Sequence, residues 1–236
     1  MEHPFISVVI PALNEEKRIG ECLKAITSQD FDKSRYEIIV SLSDKTTDKT
    51  ADICKEYGAK IVMAAPGIGL ARSEGFKVAK GNIFAGTDAD TLVCPEWLSV
   101  IDENFKKSKI VSLTGPILPK KGSTRIIRVS FAFAFGFYRG VGKIQGKEYI
   151  SGMNFAVDRI AYEKCGGYDP NIQSSEDTDL SERISKFGKT VFDSRMKVFT
   201  STRRLQEGYV HSFLRYSKNY VLLRLGKKPG SFTHYR

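Results

Sequence analysis

A chain of 236 residues, 41% apolar and 27% charged, has enough apolar material for a sizeable core and no low-complexity tract that would leave it disordered. Its net charge of +10 is uneven: residues 119–147 carry seven Lys or Arg and no acid, residues 203–236 carry eight against Glu207 alone, and the remainder sits near −4. Two such segments call for a partner with negative charge, and with no signal-peptide pattern and no 18-residue apolar run in this sequence we expect a cytoplasmic chain.

The first half alternates two periodicities. "FISVVIPAL" (5–13) is apolar and β-branched, as a buried parallel strand should be, and "NEEKRIGECLKAITSQ" (14–29) sets Ile19, Leu23 and Ile26 at helical spacing with Asn14 as the expected N-cap. The pattern repeats as strand "YEIIVSL" (36–42), helix "TADICKEYG" (50–58), strand "KIVMAA" (60–65) and helix "GLARSEGFKVAKG" (69–81). Strand "NIFAG" (82–86), helix "PEWLSVIDENFKKS" (95–108) and strand "KIVSLTG" (109–115) follow. Such alternation predicts an α/β fold: one domain with a mostly parallel central sheet and helices on both faces. Ligands of these sheets bind beyond the carboxyl ends of the strands, here Pro11–Glu15, Ser43–Asp48, Pro66–Arg72 and Thr87–Asp90.

The second half is less regular. Residues 126–137 have Arg128 as their only charge, and the length of the surrounding run (123–142) favours a helix. "EYISGMNFAVDR" (148–159) predicts a strand, "DTDLSERISKFG" (177–188) an amphipathic helix, and "KTVFDSRMKVFTS" (189–201) a strand or hairpin arm. From about residue 206 a basic helix is predicted with Tyr209, Phe213, Tyr216, Tyr220 and Leu223 on one face, stopped by Lys228-Pro229-Gly230.

Several chemistries fall away at once. Four cysteines without a C-x-x-C pair argue against a zinc site or a disulfide framework and read as core thiols, and three histidines are too few for a scheme built on several imidazoles. "GIGLARSEG" puts Arg72 where a dinucleotide motif needs its third glycine, and no P-loop is present. Asp88 and Asp90, one residue apart after a strand apolar enough to be central, remain. Carboxylates there can serve a turn; they can also clamp a hard divalent cation, which relieves their repulsion and keeps positions open for phosphate oxygens. Glu176, Asp177 and Asp179 crowd a helix start, where Ser175 or Asp177 could cap and the dipole favours acids, but three exceed what capping requires. One of them aimed at the metal site could take a proton from an attacking hydroxyl.

The order of "VVIPALNEE", "SDKTTDKTAD", "GLARSEG", "TDAD" and "GGYDPNIQSSEDTDL" along residues 5–205 resembles a family 2 glycosyltransferase. The resemblance implies a single glycosyltransferase-A domain (1–205), with a nucleotide-sugar half (1–118) and an acceptor half (119–205), followed by a basic amphipathic extension (206–236). It implies an inverting transfer from a nucleotide-diphosphate sugar, with Mn²⁺ or Mg²⁺ as cofactor. Pro11, Ala12, Asn14 and Glu15 match the segment around base and ribose, Asp44 the acid that bonds the base, and Arg72 an arginine of the nucleotide pocket. Asp88 and Asp90 match the D-x-D pair, Asp90 being the main metal ligand, and Asp177 matches the general base, with Glu176 beside it. Arg203 and Arg204 are candidates for neutralising the leaving diphosphate, and His211 for a third metal ligand. Ser43 stands where an acid is frequent, Ser73 where Asn is common, and the missing Q-x-x-R-W signature points to transfer of a single sugar rather than polymer extension.

Both basic segments lie where the acceptor should enter. Arg125, Arg128, Arg139 and Lys143 punctuate or flank the 126–137 stretch, a composition suited to an anionic bilayer surface and a lipid-linked acceptor on the cytoplasmic face of the membrane. The competing expectation is that Phe131, Phe133, Phe135 and Phe137 all pack the core. A pyrophosphorylase-like nucleotidyltransferase would need a glycine-rich loop after the first strand, and no glycine precedes position 20 there. A nucleic-acid-binding reading could use "FAFAFGFYR" for base stacking, but no binding motif is present and the rim acids would repel a phosphate backbone, so nucleic acid is not an expected partner.

Overall fold

The computed structural model of the protein describes residues 5–144, 146–172 and 175–203. The opening apolar run forms β1 (Ile6–Ala12), which lies between β2 (Tyr36–Ser43) and β4 (Ile83–Gly86), parallel to both, and β3 (Lys60–Ala64) adds to the outer side of β2. Beyond β4 comes β8 (Phe155–Asp158), antiparallel to both neighbours, then β6 (Ile110–Thr114) and β9 (Lys189–Phe192), giving the order β3-β2-β1-β4-β8-β6-β9. The mostly parallel sheet predicted by the alternation is therefore present.

Strand periodicity sorts the core into two layers. Ile6, Val8, Ile10, Ile38, Val40, Leu42, Ile83 and Ala85 pack with the buried faces of α1 (Ile19–Thr27), α2 (Thr50–Glu56) and α4 (Trp97–Lys107). Val9, Ile39 and Phe84 face the opposite layer, made by α3 (Ile68–Lys77), α6 (Arg159–Lys164) and α7 (Glu176–Ile184). In that layer the Phe76 ring stacks on Phe84 at 4.7 Å and meets Tyr162 edge-on at 5.2 Å. Helix α3 comes unusually near the sheet at Gly75, where a Cβ would stand 2.4 Å from Val9 Cγ1 and 2.5 Å from Ser41 Oγ. Glycine permits this approach, which seats Arg72, one turn earlier, against the carboxyl end of the sheet.

The structure departs from expectation in four places. Asn14 is not the N-cap of α1; it sits at φ 51°, a conformation Asn tolerates, and its Oδ1 accepts the Thr47 N–H at 2.9 Å, so the helix begins only at Ile19. The strand predicted over 148–159 is confined to β8, because the Asn154 side chain is buried in a polar knot, accepting from Trp97 Nε1 at 2.9 Å and donating to the Met196 carbonyl at 2.7 Å. The run 189–201 is not a hairpin arm. It splits into β9 and β10 (Val198–Thr200), the latter central in a separate three-stranded sheet with β5 (Thr91–Val93) and β7 (Ile117–Pro119), in the order β5-β10-β7. The break is a turn in which Asp193 accepts from the Arg195 backbone and side chain, an arrangement that pulls the Asp193 carboxyl down to about 2.

The fourth departure concerns α5 (Arg125–Ile144), a helix as its length predicts. Its phenylalanines divide: Phe131 and Phe135 pack against the core, while Phe133 and Phe137 are 68% and 47% exposed. All four cysteines are free, with Cys22, Cys54 and Cys94 buried. Among the described residues no helix is long and apolar enough to cross a membrane. The helix predicted from residue 206, Arg204 and His211 lie outside the described residues.

Candidate active site

The carboxyl ends of β1, β2 and β4, the second turn of α3 and the start of α7 meet at one rim, and a guanidinium organises its inner wall. Arg72 is 1% exposed. Its Nη2 donates to Asp88 Oδ1 at 2.7 Å and to the Gly152 carbonyl at 2.9 Å, and its Nη1 donates to Glu176 Oε1 at 3.0 Å. A planar fork with fixed donors suits three acceptors that converge from different elements. Burial works against the Arg72 charge, but Tyr168, Asp88, Glu176 and Asp177 around it outweigh that penalty and raise its pKa. Glu176 responds the other way: burial, followed by the charge of Asp177, pushes its carboxyl up to about 7 despite Arg72. The Tyr168 hydroxyl is buried without a partner among the described residues.

The three acids at the head of α7 have separate tasks. Glu176 holds Arg72, and Asp179 pairs with Arg183 one turn on. Asp177 is half-buried, its Oδ1 accepting from the Thr178 N–H at 2.8 Å and its Oδ2 from the Gly152 N–H at 3.0 Å. Ser175 makes no side-chain cap and adopts φ 60°. Gly152 therefore joins Asp177, through its N–H, to Arg72, through its carbonyl. A Cβ at Gly152 would fall 2.5 Å from both Arg72 Nη atoms, so any side chain there must displace the guanidinium. Gly152 was not among the residues singled out from the sequence, since "SGMN" carries no motif and the partners come from α3 and α7.

The second aspartate turns elsewhere. Asp90, 8% exposed, has its Oδ2 3.2 Å from Arg203 Nε. Arg203 also reaches Glu15, donating from Nη1 to Oε2 at 3.1 Å and from Nη2 to Oε1. Glu15 in turn donates its backbone N–H to Thr50 Oγ1 at 2.8 Å. The loops after β1 and β2 are laced together: besides Asn14 with Thr47, the Glu16 N–H donates to Asp48 Oδ2 at 3.0 Å and the Lys49 N–H to Glu16 Oε2 at 3.2 Å. Pro11 and Ala12 end β1 beside this lacing, and Asp44 is exposed at the end of β2. Two contact groups result, Glu15–Arg203–Asp90 and Asp88–Arg72–Glu176 with Gly152 and Asp177, joined by the short turn from Asp88 to Thr91.

Asp88 and Asp90 offer hard oxygen donors, and the cation already resting on Asp90 is the Arg203 guanidinium, which shows that positive charge is accommodated there. Among the described residues no group of three or more His, Cys, Asp or Glu could hold a metal ion. Carboxylate oxygens such as these are the donor type that Mn²⁺ and Mg²⁺ take, through one or two carboxylates with phosphate oxygens and water completing the shell. Surface grooves of about 580 and 500 Å³ lie elsewhere. The first is lined by Tyr36 and Lys60, where β2 and β3 begin, and the second by Lys147 and Lys189, where β9 begins.

A parallel sheet with one inserted antiparallel strand and an acidic rim at its carboxyl edge is the architecture of glycosyltransferase-A enzymes. The structure matches a mannosyltransferase from Pyrobaculum calidifontis in complex with GDP-Man and Mn²⁺ at a TM-score of 0.72, covering 94% of this chain and 63% of that one at 18% identity. It matches glucosyl-3-phosphoglycerate synthase from Mycobacterium tuberculosis, in complex with Mn²⁺, UDP and glucosyl-3-phosphoglycerate, at 0.66, covering 95% and 81% at 20% identity. These likenesses establish the fold. The family model for glycosyl transferase family 2 matches residues 7–166, and the chain belongs to that family. The probable glycosyltransferase YdaM of Bacillus subtilis (strain 168) is 31% identical over 210 residues, which are 79% of this chain and 48% of that protein, so the chain spans about half the length of this relative.

Proposed function

We propose that the protein is an inverting glycosyltransferase that moves a single sugar from a nucleoside-diphosphate sugar to an acceptor hydroxyl, and that residues 1–205 form the catalytic domain. The observation that carries the reading is the Gly152 bridge, because it fixes a half-buried carboxylate, Asp177, relative to Asp88 through one guanidinium. In the reaction Asp177 takes the proton of the acceptor hydroxyl as its oxygen attacks the anomeric carbon. The bond from that carbon to the diphosphate oxygen breaks, and the nucleoside diphosphate leaves with the electron pair. Asp90, with Asp88, would hold the divalent cation, Mn²⁺ or Mg²⁺, which supplies Lewis-acid charge to the leaving oxygens.

Pro11, Ala12, Asn14, Glu15 and Asp44 surround base and ribose in this reading. Arg72, 1% exposed, belongs to the nucleotide pocket in this reading through the Asp88 and Glu176 carboxylates that it holds, and Arg203 is a cation at the diphosphate side. The solved mannosyltransferase and mycobacterial synthase support a nucleotide-sugar donor with Mn²⁺, one with a guanine and one with a uracil base. We place the acceptor on a lipid carrier met at the cytoplasmic face of a membrane, a reading supported by the basic segment at α5. The test is release of nucleoside diphosphate from a panel of sugar nucleotides with Mn²⁺. Asp177→Asn should lower turnover by about 10²–10⁴-fold while the thermal shift from nucleoside diphosphate and Mn²⁺ persists. Turnover that survives the substitution would remove Asp177 from the mechanism.

A further inference from the structure

Helix α5 runs 20 residues, about 30 Å, and carries apolar side chains on two faces. One face is committed: Phe131 and Phe135 pack against the core, Phe135 with its ring 6.2 Å from that of Phe192. The other is open. Ile126, Val129, Phe133 and Ile144 are 78%, 62%, 68% and 88% exposed, and steps of three, four and eleven residues bring all four onto one narrow stripe. Single exposed apolar side chains are ordinary on a protein surface; a helix-long line of them is not.

The charges beside the stripe have one sign. Arg125 and Lys143 lie about 40–100° round the helix from its members, Lys121 is exposed just before the helix, Arg128 is exposed on the side nearer Phe135, and no acid occurs between residues 119 and 147. Arg139 is set apart, pairing with Glu148 and lying over the Phe192 ring. Residues 203–236 carry eight basic residues against one acid, so covering the stripe with that segment would set like charge against like. An anionic surface suits both segments.

Helix α5 also bridges the two groups of the rim. Just before it, the Lys120 N–H donates to the Thr200 carbonyl at 2.9 Å, and Thr200 Oγ1 accepts from Thr91 Oγ1 at 2.9 Å, beside Asp90. After it, the chain returns through Glu148 to Gly152 under Asp177. We propose that the stripe Ile126, Val129, Phe133 and Ile144 docks on an anionic bilayer, α5 lying in the plane of the headgroups while the flanking Lys and Arg reach the phosphates. Docked this way, the helix whose two ends lead to the Asp90 and Gly152 groups lies on the membrane. The inference specifies the surface for the lipid-linked acceptor proposed above and rests on that reading only for its purpose.

The experiment is flotation of the full chain with phosphatidylcholine vesicles, with and without phosphatidylglycerol. The wild type should float with the phosphatidylglycerol vesicles at low salt, far less with phosphatidylcholine alone, and less as salt is raised. Val129→Ser/Phe133→Ser should lower the bound fraction about tenfold or more, with its circular dichroism and its thermal response to nucleoside diphosphate and Mn²⁺ unchanged. Absence of flotation, or flotation that ignores the double substitution, overturns the proposal. So does a dimer that the same substitutions dissociate while vesicle binding stays absent. Vesicle binding is read without any sugar transfer, so failure of the transferase reading would appear in the nucleotide response alone.

Discussion

Arg203 lies with its Nε 3.2 Å from Asp90 Oδ2 while its two amino groups engage Glu15, so one guanidinium joins the end of β10 to both the first loop and the D-x-D segment. A metal ion at Asp90 competes with this contact for the carboxylate's charge. Arg203→Ala should therefore tighten Mn²⁺ binding in the absence of nucleotide by about three- to tenfold, since two cations can no longer compete for one carboxylate. Titration calorimetry with MnCl₂ measures it, and an unchanged or weaker affinity would place the metal away from Asp90.

Gly152→Ala puts a methyl group 2.5 Å from both Arg72 amino nitrogens. The expected loss of stability is about 1–3 kcal/mol, the range for inserting bulk into a packed site. Turnover should fall more than donor affinity does, because the N–H that orients Asp177 moves with the peptide. Gly140→Ala is the control: nothing lies within 4 Å of its added Cβ, and removing a glycine from the helix should raise stability by up to about 1 kcal/mol. Urea midpoints compare the two.

Arg72→Met removes the cation that Asp88 and Glu176 share, leaving two carboxylates in the wall without their partner. Breaking such an arrangement from one side costs about 3–5 kcal/mol. Arg72→Lys should recover only part of it, because an ammonium cannot present the fork that three acceptors require. Equal stability of the Lys variant and the wild type would show that charge alone matters there.

Glu176 makes the fold sensitive to pH in a direction opposite to most carboxylates. Its folded value, raised to about 7 from the ordinary 4.5 mainly by burial, means that the native state binds the proton more tightly than the unfolded chain. The stabilisation is complete below about pH 4.5 and is lost as pH rises through 7. Glu176→Gln should remove this slope. Denaturation midpoints from about pH 5 to 8 that fall equally in the variant would assign the titration to another group.

Much of the fold was legible in the sequence because it depends on local periodicity. The buried strand β1 and the apolar spacing of Ile19, Leu23 and Ile26 each follow from a few neighbouring residues. Asp88 and Asp90 were placed at the rim by the apolar strand before them. What stayed hidden is set by partners far along the chain: Arg72 and Glu176 are 104 residues apart, and Arg203 and Glu15 are 188 apart. Spacing along a sequence cannot show that two carboxylates one residue apart turn to different arginines. Strands β5, β7 and β10, at three residues each, are too short for alternation to register. The four phenylalanines of α5 illustrate the same limit, since a helix can bury one side of an apolar run and leave the next side open.

The antiparallel strand β8 has a consequence for the order in which the chain assembles. Strands β1 to β4 can pair with one another once residue 86 has left the ribosome, but β6, finished at residue 114, has only β8 and β9 as neighbours. Until residue 158 has been synthesised, β6 has no edge to join, and the apolar segment Ile110–Thr114 must wait through the making of α5. A ribosome paused between those two points would hold a half-sheet already closed on one side and an unmatched strand trailing behind it.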